Sequence, residues 1–288
     1  MENVKTNDQK QLKAPTTVLR IVSILAAAGV FAPYFLKYAD VRPFYDFIGP
    51  FFALFLFAFV LFMAAPRIAG LFSGTDEFPS VKGKKVRRTT LAIMLGALVF
   101  HAAAFLIGVF VYMKMNPTYK LGYAWRWAWM KPNTDAGHYL NIAENWYVSD
   151  GDDKLLIVFF PMLPVLIRAL NLITGDSFIS ALIINSAATS LTAGVAYLTF
   201  RGPLGDKRAV AASFITLLMP GAIFFNSPMT EPLFLLFTFT AFLFMQKKRF
   251  LLAGIFVALS GFTRSLGVLA AIPLAITGIG RKIGRAHV

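Results

Sequence analysis

The sequence predicts an all-α polytopic membrane protein, and three observations carry that prediction. Residues 47–65, 91–112, 178–200 and 209–230 contain no Asp, Glu, Lys or Arg. A hydrocarbon core of about 30 Å is crossed by roughly 20 helical residues at about 1.5 Å each, so these runs have the length of spans. Second, 57% of the 288 residues are hydrophobic and only 15% charged, where soluble domains carry about 25% charged residues. A soluble enzyme and a disordered chain are excluded on that ground, and the absence of cysteine excludes a disulfide scaffold.

The third observation is where the charge sits. The net charge is +14, yet the basic residues gather between apolar runs instead of lining one soluble face, which argues against nucleic acid as a partner. Five clusters stand out: Lys5/Lys10/Lys13/Arg20, Arg67 with Lys82 to Arg88, Arg201/Lys207/Arg208, Lys247/Lys248/Arg249 and Arg281/Lys282/Arg285. Placing all five in the cytoplasm puts the whole positive excess on the inner face, as orientation by Lys and Arg requires. The N-terminus is then cytoplasmic.

In chain order, residues 1–17 form a cytoplasmic arm, and 18–65 hold two N-terminal transmembrane helices joined by an outer turn at 37–46. The first of them, at 21–36, lacks a small-residue cleavage site and reads as a retained anchor. A basic cytoplasmic loop follows over 66–90. Residues 91–112 lead outward to a large outer loop, about 114–177, which contains all four Trp (Trp125, Trp127, Trp129, Trp146). Such rings suit the headgroup zone, and one or two could instead stack on a sugar face.

The apolar stretch 155–173 carries Pro161, Pro164 and Arg168. Were it a span, three basic clusters would move outside, so it is expected to lie in the outer interface as a helix parallel to the membrane. Spans then follow at 178–200, 209–225 and 232–245. Residues 250–262 and 266–280 are too short for two full spans unless they meet partway, at Arg264. Residues 283–288 read as the translation of an adapter oligonucleotide, and later helices are expected to be missing after about Lys282.

Ionisable groups in or against a membrane are functional candidates by default. Here they are Asp135, His138, Glu144, Arg168, Glu231, Arg264 and His101. No glycine loop for a nucleotide and no metal-ligand pair of histidines occurs, so neither a metal nor a cofactor is expected. From Asp135 to Tyr147 the apolar positions fall at helical spacing, which predicts an amphipathic surface helix. Asp135 and His138 share a face at its start. Spacing alone leaves Asp135 as either a reactive carboxylate or a helix N-cap. Glu144 falls on the opposite face and is not a partner for it, while Arg168 is expected to snorkel to headgroups.

Four motifs occur in order. They are Asp135-Ala-x-His138-Tyr139-Leu-x-Ile-Ala-Glu144-x-x-Tyr147, Phe159-Phe160-Pro161-x-x-Pro164-x-x-Ile-Arg168, Pro220-x-x-x-Phe-Phe-x-Ser227-x-x-x-Glu231-x-Leu-Phe234 and Thr263-Arg264-Ser265-x-Gly267. Together they resemble the PIG-V mannosyltransferase family, integral-membrane enzymes of the GT-C class, as a bacterial or archaeal homologue. The family commonly has Gly where this chain has Trp146. The resemblance runs from Asp135 to Gly267 within a GT-C-like catalytic region taken as 91–282, and it leaves the first two helices without a functional account.

The resemblance implies a GT-C-like helical bundle whose first large extracytoplasmic loop carries interfacial helices. It implies transfer of mannose, with inversion, from a polyprenyl- or dolichol-phosphate-mannose donor to a glycan or glycolipid acceptor, without a metal. Asp135 is then the base. His138 and Tyr139 are expected to bind substrate, together with Glu231 and Arg264. Arg264 could hold the donor phosphate or be paired with Glu231 as a structural ion pair. The alternatives are a transporter or flippase of lipid-linked sugars, or an inactive scaffold subunit.

Overall fold

The computed structural model describes residues 2–38, 83–130, 134–218 and 220–286, with ten isolated positions between 43 and 65. The basic loop over 66–82 and most of the second expected span lie outside these. Among the described residues every regular element is helical. The α-helices are α1 (Glu2–Tyr38), α2 (Lys84–Met115), α3 (Leu121–Trp127), α4 (Ala136–Asn145), α5 (Met162–Thr174), α6 (Ser177–Leu204), α7 (Asp206–Leu218), α8 (Glu231–Gln246), α9 (Phe250–Gly261) and α10 (Ala271–Ala286). Short 3-10 turns fill Asp152–Val158, Pro220–Asn226 and Ser265–Ala270. Three helical stretches are long and apolar enough to cross a membrane: Pro15–Lys37 within α1, α2 and α6. This is the all-α polytopic architecture that the apolar runs predict.

The chain divides into two compact units, Met1–Glu77 with Ile276–Val288, and Phe78–Ala275. In the first, α1 meets the helical positions after 47 through aromatic contacts. Phe35 packs edge-on against Phe47 at 5.0 Å, Phe31 against Phe51 at 5.2 Å, and the Arg20 guanidinium lies 4.7 Å over the Phe62 ring. Partners descend α1 as they climb the second segment, so the two run antiparallel.

In the second unit α6 is the central element, packed on α2, α5, α7 and α8. Its sequence explains that position. Ala181, Ala188, Ala193 and Ala196 are buried, and at Gly194 a side chain would meet the Met94 Cγ at 2.6 Å. Small residues let backbones approach closely, and polar side chains then bond across helices. Ser190 Oγ donates to the Met94 carbonyl at 2.9 Å, Ser186 Oγ shares a proton with His101 Nε2 at 2.9 Å, and Thr192 Oγ1 donates to the Pro232 carbonyl at 3.2 Å. His101 is thereby a packed core group against α6.

The segment over 114–177 differs from the sequence expectation at residues 155–173 and at Trp129. Residues 155–173 are not one helix: the 3-10 turn Asp152–Val158 and α5 meet at 111°. The break falls at Phe159-Phe160-Pro161. Pro161 precedes α5 and Pro164 lies in its first turn, the one part of a helix where missing N–H groups cost nothing. Gly175, in the left-handed conformation, ends α5. The Asp176 side chain then caps α6 by accepting from the Ile179 N–H at 3.0 Å. Trp129, placed by sequence among the headgroup aromatics, is 8% exposed and stacks on Phe105 at 5.6 Å. A side chain at Gly108 would strike its ring at 2.3 Å, so Gly108 admits it.

Trp146 follows α4 with φ +66° and ψ −170°, a region open in practice to glycine alone and costing other residues about 1–3 kcal/mol. This is the position the resembling family commonly gives to glycine. Trp146→Gly is expected to stabilise the protein by about 1 kcal/mol after the entropy that glycine forfeits on folding, read as a higher thermal midpoint in detergent. A lower midpoint would show that the contact of Trp146 with Tyr147 outweighs the strain.

Candidate active site at three helix ends

The second, third and fourth motifs each interrupt a helix, and the interruptions are held together by named contacts. The Met162 N–H donates to the Phe262 carbonyl at 3.3 Å, joining the start of α5 to the end of α9. The loop before α8 is fully packed: Asn226, Ser227, Met229 and Thr230 are all buried. Asn185 of α6 donates from Nδ2 to the Ser227 carbonyl and, at 3.1 Å, to the Met229 carbonyl. Ser227 Oγ donates to the Trp129 carbonyl. Unmet backbone groups at membrane depth are expensive, and these side chains meet them.

Arg264 stands between α9 and the next 3-10 turn in extended conformation, φ −153° and ψ 147°. Gly267 makes that geometry: its N–H donates to the Arg264 carbonyl at 2.9 Å. A Cβ there would sit 2.2 Å from the Ser260 carbonyl carbon, so the Thr-Arg-Ser-x-Gly motif needs glycine at its last place for close approach of backbone to backbone. The Arg264 guanidinium forms an ion pair with Glu231 Oε1 at the start of α8 and reaches Thr230 Oγ1 at 3.4 Å. Of the two readings the sequence leaves open for Arg264, pairing with Glu231 is present. Arg264 nevertheless stays 37% exposed, and one guanidinium nitrogen makes both contacts, so further N–H donors remain. Glu231 Oε2 is buried without a hydrogen-bond partner.

Tyr139 brings the surface helix to this pair. It is 6% exposed on α4; its phenol lies near the Thr230 hydroxyl and within the fields of Arg264, Asp135 and Glu231. Burial pushes the Tyr139 phenol above its ordinary pKa, so it remains an O–H donor at neutral pH. Phe159 buttresses Tyr139 edge-on at 5.2 Å, and the same ring lies 5.2 Å from the exposed His138 imidazole. Four of the five site residues read from sequence, Asp135, Tyr139, Glu231 and Arg264, therefore gather, with His138 at the margin through Phe159.

Asp135 occupies the N-cap position of α4, but its side chain makes no cap hydrogen bond. The residue is exposed. Arg168, expected to snorkel to headgroups, has its guanidinium donating to the Ala143 and Glu144 carbonyls at 3.2 and 3.3 Å, closing the C-terminal end of α4. Sequence reasoning missed Thr230, whose signal was adjacency to Glu231, and Arg126, which pairs with Asp176. Burial opposes it, but the Ile179 N–H and the Arg126 guanidinium hold the Asp176 carboxyl below its usual pKa.

Among the described residues, a polar cluster thus lies where helices of an apolar bundle are interrupted. Residues 160–287 match the family model for dolichyl-phosphate-mannose-protein mannosyltransferase. The match supports a membrane glycosyltransferase of the GT-C type; it includes Glu231 and Arg264 and begins after Asp135. No curated protein and no solved structure matches the chain.

Arg264→Met is expected to strand the Glu231 carboxylate and cost about 1–2 kcal/mol, less than a fully buried pair because solvent reaches Arg264. Glu231→Leu combined with Arg264→Met should recover that loss while leaving the protein inactive. Thermal unfolding in detergent separates the two; equal midpoints in single and double variants would deny the pair a structural role.

Proposed function

We propose that this protein transfers mannose from a polyprenyl- or dolichol-phosphate-mannose donor to a lipid-linked or glycan acceptor, on the extracytoplasmic face of the membrane. The observation that supports the reading best is the gathering of Asp135, Tyr139, Thr230, Glu231 and Arg264 from three separate motifs. In this reading the N-terminal arm is cytoplasmic and the 114–177 segment is outside, the arrangement that collects the basic clusters on the inner face. Two likenesses support the reading: the four motifs resemble PIG-V enzymes, and residues 160–287 match the mannosyltransferase family model.

The chemistry follows from the residues. An acceptor O–H attacks the anomeric carbon on the side opposite the phosphate, and its proton passes to the Asp135 carboxylate. The bond from the anomeric carbon to the phosphate oxygen breaks, the electron pair stays on that oxygen, and the configuration inverts. Arg264 donates to the phosphate as its charge grows, oriented by the bond to Glu231. The protonated Tyr139 phenol donates to a donor oxygen, and His138 lines the sugar. No protein nucleophile or cofactor takes part.

Asp135→Asn keeps the shape and removes the base. Because such bases contribute about 10²–10⁴-fold, mannosyl transfer from a purified polyprenyl-phosphate-mannose donor should fall at least about 100-fold with an unchanged thermal midpoint. Turnover near that of the unmodified protein would remove Asp135 from this role.

A further inference from the structure

A second polar site lies on the other flank of α4. A cavity of about 480 Å³ opens between α3, α4, the end of α5 and the start of α6, within the usual size of small-molecule sites, about 300–1,000 Å³. Its polar groups are Arg126, Asn141, Glu144, Asn171, Asp176 and Ser177, over a floor that includes Leu140 and Phe178. Resting on the transferase reading above, we propose that this cavity is the acceptor's carbohydrate subsite, holding the sugar unit next to the one that is glycosylated.

The hydrogen-bonding capacity left open there is that of a polyol's partner. Asn171 Nδ2 donates to Ser177 Oγ at 3.2 Å, while its Oδ1 is buried with no partner, an acceptor awaiting an O–H. The Glu144 side chain is exposed and its carboxylate offers further acceptors. Arg126 is fixed by Asp176 and lies 4.9 Å over Trp125 and 5.7 Å over Phe178, with guanidinium donors to spare. Acceptors, donors and an apolar floor side by side suit a sugar ring, whose hydroxyls both give and take hydrogen bonds. A phosphate is disfavoured, because Asp176 already neutralises Arg126 and Glu144 adds a negative charge.

The placement also fits inversion. Helical spacing puts Gly137, Asn141 and Glu144 on one flank of α4 and Tyr139, which faces Arg264 and Glu231, on the other. Asp135 stands at the N-cap of the helix, two residues before Gly137. A glycan lying along the cavity from Glu144 toward Gly137, about 10 Å at 1.5 Å per residue, delivers its terminal hydroxyl to the base from the side opposite the donor.

The test uses the full chain in detergent with octyl mannoside and octyl dimannoside as acceptor probes and polyprenyl-phosphate-mannose as donor. Glu144→Gln and Asn171→Leu should each raise the acceptor KM for the dimannoside by roughly tenfold, leave its value for the monosaccharide within about twofold, and leave the donor KM unchanged. Asn141→Ala is a second probe of the same wall should Asn171→Leu fail to fold. Binding is read separately, by tryptophan fluorescence of the Asp135→Asn protein titrated with free dimannose, where saturation is expected and is lost in the added Glu144→Gln background. Unchanged dimannoside KM in folded variants overturns the subsite while leaving the transferase standing. A protein that binds dimannose but transfers nothing refutes the transferase and not the cavity. Saturation by glycerophosphoethanolamine in place of dimannose assigns the cavity to lipid headgroups and overturns the proposal.

Discussion

The ion pair between Arg264 and Glu231 is the constraint on which the site depends. It joins the break after α9 to the first residue of α8 and is only partly exposed to solvent. A guanidinium that keeps its charge at any physiological pH must be matched there, and the carboxylate that matches it sits one residue from Thr230, the neighbour of Tyr139. One pair thus sets where two broken helices end and where the surface helix α4 comes to rest. Gly267 enforces the same geometry from the backbone side, since no larger residue permits its approach to Ser260.

Around that pair the bundle reads as a scaffold for interrupted helices. Asn185 and Ser227 satisfy the loop before α8, and Arg168 closes the end of α4. Each meets backbone groups that water would otherwise serve, and each sits where a continuous helix would have needed no help. Interruptions so supported place polar chemistry at the edge of an apolar bundle without leaving it frayed.

The helical membrane class and the candidate site were legible for different reasons. Long uncharged runs announce spans directly, and α2 and α6 appear close to where 91–112 and 178–200 put them. Asp135, Glu231 and Arg264 stood out because ionisable groups in apolar sequence are rare, whereas Tyr139 was singled out only through the motif it shares with the resembling family. Less could be read where tertiary contacts decide. Nothing in the spacing says that Trp129 would wedge over Gly108, or that Arg168 would bond to the end of α4. The bend at Pro161 was written in the sequence as two prolines, but either a span or a surface helix could contain them at a first turn. Trp146, in a glycine conformation, could not be recognised as strained without its dihedral angles.

The account rests on a reactive rim that faces away from the cytoplasm, with α4 exposed there. The sequence contains no cysteine, and a Cβ at Gly137 meets nothing within 4 Å, so Gly137→Cys introduces one reporter thiol two residues from Asp135. Exposing membranes to a charged, impermeant maleimide measures its side directly. The account predicts modification of right-side-out vesicles, slowed when polyprenyl-phosphate-mannose is added. Modification of inverted vesicles alone, unaffected by the donor lipid, would contradict it.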